Sequence, residues 1–339
     1  MLVKVFGAAV QGIDATIVTI EVNSSRGIKF FLVGLPDSAV KESHERIISA
    51  LQVNGYKFPT RQIVVNMAPA DIRKEGSSYD LPLAIGILAS AEEVRSEKLS
   101  DYLIIGELSL DGSLQPIKGA LPIAISARAQ GFKGFILPKQ NAKEAAVVNN
   151  LHVYGVENIK EVIEFFNGER ELEPTIVHTR EEFFQHQDNY PYDFADVKGQ
   201  ESVKRALEVA AAGGHNLIMI GSPGSGKSMM AKRLPSILPP LSLAESLETT
   251  KIHSVAGKLN KNDSLIATRP FRSPHHTISQ VAMVGGGSNP QPGEGAKNAA
   301  TRCRICHSTG SRVRRYPEFG RNYDEVIVNK FSTMSFDTN

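Results

Sequence analysis

Eight residues, Gly221-Ser222-Pro223-Gly224-Ser225-Gly226-Lys227-Ser228, have the types and spacing to hold a phosphate chain. They fit the pattern G-x-x-x-x-G-K-[ST]. Glycines let backbone N–H groups turn inward around phosphate oxygens, and the helix start that follows adds the positive end of its dipole. Lys227 would reach the β- and γ-phosphates, and the Ser228 hydroxyl would take one coordination position on Mg²⁺. The flanks must present this loop between a strand and a helix. Leu217-Ile218-Met219-Ile220 is an apolar run suited to a buried strand, and Met229 to Leu234 reads as a helix until Pro235. Strand, glycine loop and helix arrive in the required order, so a nucleotide with Mg²⁺ is the expected ligand.

A chain of 339 residues with 41% apolar content can fill two cores. No stretch has the length of a membrane span, and the most apolar window, Leu81 to Ala89, is interrupted by Pro82 and Gly86. The N-terminus lacks a long apolar region and soon meets Asp14, so no secretion signal is expected. With two cysteines and no such signal, the cytoplasm is the expected compartment. The net charge of +2 is a local effect. Seven Lys/Arg stand against Glu318 alone between Gly295 and Asn322, so the remainder of the chain is acidic and the balance carries no argument for nucleic acid.

The elements of residues 1–170 read in alternation. Ala15 to Val22 and Ile28 to Val33 are strands, with Asn23 to Gly27 as the turn between them. Asp37 and Ser38 can cap a helix to about Val53, with Ala39, Ile47, Ile48 and Leu51 as its buried stripe. Gln62 to Met67 is a strand and Leu81 to Ala91 an apolar helix. Leu103 to Leu110 reads as one strand, ending at Asp111-Gly112. A helix over Pro122 to Gln130, a strand over Gly134 to Leu137, and a helix over Ile159 to Phe166 capped by Asn158 complete an α/β or α+β domain. The charged stretch over 171–192 lacks sustained periodicity and reads as a linker. Glu201 to Ala212 then shows Val203, Ala206, Leu207, Ala210 and Ala211 at helical spacing.

Five motifs occur in order: Asp196-Val-Lys-Gly-Gln, Ala211-Ala-Gly-Gly-His-Asn-Leu, Gly221 to Ser228, Arg269-Pro-Phe-Arg-Ser-Pro-His-His-Thr-Ile-Ser, and Val284-Gly-Gly-Gly-Ser-Asn-Pro-Gln-Pro-Gly-Glu. Together they resemble the Mg-chelatase-like AAA+ ATPases of the YifB/ComM family, over residues 1 to about 294. The resemblance implies a fold of two α/β parts. The first is a Lon-protease-like (ribosomal-protein-like) domain over 1–170; the second is a P-loop AAA+ domain, of which 193–294 is the N-terminal part. It further implies ATP and Mg²⁺ as cofactors, Gly221 to Ser228 on the phosphates, Ser228 on the metal, and Val197 and Gly199 beside the adenine. Intact relatives resembling ComM are ring-forming motors, hexamers by expectation, that act on DNA during natural transformation by driving branch migration. A magnesium-chelatase motor subunit is the alternative, against which the Lon-like part argues. An ATP-dependent serine protease is a third. In Lon-type peptidases the stretch matching Lys74-Glu75-Gly76-Ser77-Ser78-Tyr79-Asp80 carries the nucleophile, which falls on Ser78. The partner lysine falls on Leu121 within Lys118-Gly119-Ala120-Leu121. A serine without its base is a poor nucleophile, and Lys118 would have to reach around a turn, so Ser78 reads as a vestigial turn or capping residue.

The pattern breaks after residue 294. The family's next element is a Walker B strand, four apolar residues followed by Asp-Glu, which steadies Mg²⁺ and polarises the attacking water. No such run appears in 295–316, a basic stretch poor in strand formers. Asp324-Glu325 has the letters but lacks an apolar run before it. The sequence therefore reads as a C-terminally truncated member whose ATP hydrolysis lacks its usual groups, with 295–339 an aberrant, poorly ordered basic tail. A local frameshift, a gene-prediction error and a decayed gene are all open as its origin. Cys303-Arg-Ile-Cys306-His307 spells a haem-attachment pattern without the export signal such attachment needs, and His275-His276 has no further ligand at metal spacing. Neither is assigned a metal.

Overall fold

The computed structural model describes residues 1–260, 263–275, 278–286, 291–294 and 324–328. Two compact units divide the chain: Met1–His178 with Ser254–Ser264, and Thr179–His253 with the residues from Leu265 onward.

The first unit is built on a seven-stranded mixed sheet. Its strands are β1 (Leu2–Gln11), β2 (Asp14–Ser25), β3 (Phe30–Val33), β4 (Gln62–Ala68), β5 (Tyr102–Ile104), β8 (Gly134–Pro138) and β9 (His152–Val156), in the order β3-β4-β2-β1-β5-β8-β9. A short hairpin of β6 (Glu107–Leu108) and β7 (Leu114–Gln115) stands apart from it. Pairs β1–β2 and β2–β4 are antiparallel; β3–β4, β1–β5, β5–β8 and β8–β9 are parallel. Val18, Ile20 and Val22 on β2 are fully buried, as β-branched residues on the inner face of a covered sheet should be. β2 continues through Ser25, into the expected turn, because Asn23, Ser24 and Ser25 pair with β4.

Five helices complete this unit: α1 (Ser38–Val53), α2 (Asp80–Ser90), α3 (Ala120–Ala129), α4 (Lys139–Ala146) and α5 (Ile159–Asn167). Asp37 caps α1 by accepting from Val40 N–H at 2.8 Å. The buried stripe of α1 is Val40, Ser43, Ile47, Ala50 and Leu51. Ile47 and Leu51, assigned to it from sequence, lie on it, whereas Ala39 and Ile48 sit at its margins and are only partly covered. Every residue of α2 is buried, and Gly86 lets it approach the sheet: a Cβ there would lie 2.8 Å from Val22 Cγ2. The predicted strand from Leu103 to Leu110 is two strands, interrupted where Gly106 N–H turns to donate to Ser78 C=O at 2.9 Å. β1, α4 and β9 form in stretches where the sequence signals no element.

The second unit starts with α6 (Thr179–His186), inside the stretch read as linker, whose Phe183 packs with Leu241 and Ala267. A 3-10 turn (Phe194–Asp196), α7 (Glu201–Gly213), β10 (Leu217–Gly221) and α8 (Lys227–Arg233) follow, then α9 (Leu243–Val255) and α10 (Gln280–Val284). Strands β11 (Gly285–Gly286) and β12 (Gln291–Pro292) pair as a short hairpin. β13 (Asp324–Val328) pairs antiparallel with β10, so a strand forms inside the tail expected to be poorly ordered. The core gathers Phe194, Val197, Leu207, Ala211, Met219, Met230, Ala231 and Leu234. The apolar run of β10 predicts a buried strand, but only Met219 is buried; Ile218 and Ile220 are 52% and 48% exposed. A two-stranded ribbon covered on one side leaves alternate side chains open.

Candidate nucleotide site

The phosphate-loop residues join β10 to α8 in the predicted order. Gly224 and Gly226 take φ of +81° and +87°, left-handed conformations that side chains other than glycine's resist. Gly226 is the residue that caps α8 without any side-chain hydrogen bond. The loop closes around its own lysine. Lys227 is 7% exposed, and its Nζ donates to Gly221 C=O at 2.9 Å, to Ser222 C=O at 2.9 Å and to Ser225 Oγ at 3.3 Å. Three oxygens thus fix the ammonium at the strand–helix junction, while Ser228 at the next position is exposed. Gly224 has open space where a Cβ would stand. A preset cation, glycine backbone and an accessible hydroxyl are what a Mg²⁺–triphosphate requires, so these residues fit the group the motif implies.

The groups that brace this loop lie outside its own motif. Gln200 Nε2 donates to Ser225 C=O at 3.0 Å. Arg233, in the last turn of α8, reaches Asp196 Oδ2 at 3.4 Å and lies 5.2 Å from the Tyr192 ring centroid. Phe194 N–H donates to Ser236 Oγ at 2.9 Å, and Asp193 caps the 3-10 turn through Ala195 N–H. These contacts tie the segment before α7 to α8. Val197, predicted to face adenine, spends its side chain on the core at 3% exposure, whereas Gly199 is exposed with open space around it. The register of β13 lays Asp324 opposite Gly221 and Glu325 opposite Ile220, with the apolar residues after the acidic pair rather than before it.

The first unit carries the other predicted chemistry. Ser78 lies in a 3-10 turn, Ser77–Tyr79, and makes no side-chain cap; α2 is entered through Tyr79 without one. The loop before it is firmly held. Lys74 is fully buried with Nζ donating to Pro69 C=O, and burial lowers its pKa. Asp37 accepts Gly76 N–H at 3.1 Å, and Arg46 grips buried Asp80 through Nε at 2.7 Å and Nη2 at 2.9 Å. That bidentate contact raises the Arg46 pKa. Leu121 is fully buried, and its N–H donates to Glu144 Oε1 at 2.9 Å. Glu144 also accepts from Ser254 Oγ and from Asn141 Nδ2 at 3.3 Å, and desolvation pushes its carboxyl above the usual range. Lys118 packs along Gly257, and no hydrogen bond joins it to Ser78 among the described residues. Among the described residues no group of His, Cys, Asp and Glu has metal-binding geometry. His276 and Cys303-Arg-Ile-Cys306-His307 lie outside the described residues.

The sheet-and-helix unit and the strand–loop–helix with its enclosed lysine define an α/β protein of the P-loop class. The description "Subunit ChlI of Mg-chelatase" matches residues 20–141, and "Magnesium chelatase, subunit ChlI" matches residues 193–301. Competence protein ComM of Haemophilus influenzae is 41% identical over 295 residues, covering 86% of this chain and 57% of ComM. The uncharacterized protein YifB of Escherichia coli is 42% identical over 290 residues, covering 84% of this chain and 55% of YifB. Lon protease 2 of Bacillus subtilis is 27% identical over 128 residues, 38% of this chain and 23% of the protease. The chain belongs to the Mg-chelatase-like family of ComM and YifB. It spans a little over half the length of these two relatives.

Proposed function

We propose that residues Gly221 to Ser228 bind ATP·Mg²⁺ and that the chain serves as the nucleotide-binding part of a DNA-directed motor of the ComM kind. The observation that carries the first half is the Lys227 ammonium, held by three loop oxygens where the β- and γ-phosphates would lie. A phosphate arriving there would exchange one or more of these loop contacts for its own oxygens, with the charge already at the strand–helix junction. Ser228 would take the metal, and backbone at Gly199 would border the base. ATP supplies the phosphoryl group; the chain's own residues supply position and positive charge. The DNA half rests on the relatedness to ComM, as does assembly into a homo-oligomeric ring, in the cytoplasm. Among the described residues no helix is long and apolar enough to cross a membrane.

Titration of the full chain with ATP in magnesium buffer tests the site. Saturable binding that Lys227→Ala weakens about 10- to 100-fold is expected, matching the loss of charge-assisted hydrogen bonds. Binding that ignores Lys227→Ala overturns the site. Binding of DNA by the ATP-loaded full chain separates the DNA motor from a chelatase subunit, on which DNA would have no effect.

A further inference from the structure

The chain bends sharply just before α7. Val197 is anchored in the core, and the two residues ahead of the helix, Gly199 and Gln200, have φ of +68° and +56°. Glycine adopts that conformation freely; glutamine does not, and a side chain held there points to a constraint imposed by its surroundings. The bend carries the Gln200 side chain to the phosphate loop, where Nε2 donates to Ser225 C=O at 3.0 Å. Ser225 is also held from within the loop, by Lys227 Nζ on its Oγ and by its own N–H on Ser222 C=O at 3.3 Å. Gln200 supplies a hold from outside.

A trans peptide points its C=O and the next N–H in opposite directions. Fixing the Ser225 carbonyl toward Gln200 therefore aims the Gly226 N–H to the other side of the peptide plane. Gly226 is left-handed and, with Gly221 and Gly224, belongs to a loop with much backbone freedom to lose when it closes on an anion. We infer that Gln200 is a positioning residue for the phosphate loop: through Ser225 it presets the Gly226 amide for a phosphate oxygen of the nucleotide. This rests on the reading of Gly221 to Ser228 as the nucleotide site.

The experiment compares the full wild-type chain with Gln200→Gly, which tolerates the same φ but lacks the amide, and Gln200→Glu, which lacks the donor. Affinities for ATP, ADP and adenosine are measured with Mg²⁺, and millisecond-labelled hydrogen exchange is followed at Gly226 without nucleotide. Both variants should lose about five- to tenfold in ATP and ADP affinity, the effect of one hydrogen bond, while adenosine is unaffected. The Gly226 amide should exchange faster in both. An ATP affinity equal to the wild type's, an equal loss for adenosine, or unchanged exchange at Gly226 overturns the assignment. If the wild-type chain takes up no ATP, the nucleotide reading falls instead, and exchange at Gly226 alone decides whether Gln200 holds the loop.

Discussion

The serine turn of the first unit and the lysine loop of the second show how differently two sites can be kept. Around Ser78 the scaffold is intact: Lys74 is buried, Asp37 binds the loop backbone, and Arg46 grips Asp80. The reactive partner is missing, because Leu121 fills the position that resemblance to Lon peptidases gives to lysine, and it is fully buried. Around Lys227 the cation itself is present and is steadied by the loop it serves. Support without a base leaves a rigid turn, whereas support around a charged group leaves the loop proposed above to hold a nucleotide. The scaffolding around a motif is thus weaker testimony to activity than the one side chain that does the chemistry.

The strongest attack on this contrast is Leu121→Lys. If the first unit had only lost its base, restoring an ammonium would restore reactivity at Ser78. We expect destabilisation of about 3–5 kcal/mol, because the position is desolvated and the carboxylate contacting its backbone, Glu144, is already occupied by Ser254 and Asn141. Urea denaturation measures the loss, and a fluorophosphonate probe should leave Ser78 unlabelled. Lys227→Ala is expected to act differently, weakening ATP binding while costing less stability than Leu121→Lys, because it removes loop hydrogen bonds without burying a new charge. Stability losses for the two substitutions that match in size would erase the distinction between a packed position and a binding one.

Much of this was legible because it is local. The phosphate loop, the Asp37 cap and the Asn158 cap, which forms a full capping box with Glu161, are each specified within a few residues. What escaped depends on distant partners. Leu103 to Leu110 looks continuous until Gly106 is seen to bond Ser78. Ser254 meets Glu144 across 110 residues, and no periodicity announces such a contact. α4 and β9 escaped for a different reason. Lys139–Ala146 buries Asn141 and Glu144 beside three alanines, so no large apolar residue marks its inner face in the sequence. The exposed side of β10 shows the limit of reading burial from an apolar run, since burial requires a neighbour on each face.

Glu144 offers a subtler probe of the first unit. Burial raises its pKa in the folded chain above the value it has when unfolded. The folded state then binds more protons between those two values, so this group's contribution to stability is complete below the usual glutamate range and is lost as pH rises through the folded pKa. A tenfold difference in proton affinity between the folded and unfolded chain is worth about 1.4 kcal/mol. Urea midpoints from pH 4 upward should fall more steeply for the wild type than for Glu144→Gln, which does not titrate. The amide variant should also be somewhat less stable at acid pH, because its NH₂ would face the Asn141 Nδ2 donor, itself oriented by Ile117. Parallel curves would show that the carboxylate is as well solvated as an ordinary surface group.

Ser78→Ala should produce the smallest effect of the set, and its smallness is the point. The contact that Ser78 makes with Gly106 uses the backbone carbonyl, which alanine retains. The side chain is only half-buried and caps no helix. A change within about 0.5 kcal/mol is expected, as for ordinary surface positions, with no change in fluorophosphonate labelling. The matched substitution at the other site, Ser228→Ala, should instead weaken ATP binding chiefly when Mg²⁺ is present, because the hydroxyl would be a metal ligand. A probe adduct on wild-type Ser78 that disappears in Ser78→Ala would mean that another group supplies the missing base. The first unit would then be a reactive site in its own right, and the contrast between the two loops would be one of specificity rather than of chemistry kept and chemistry lost.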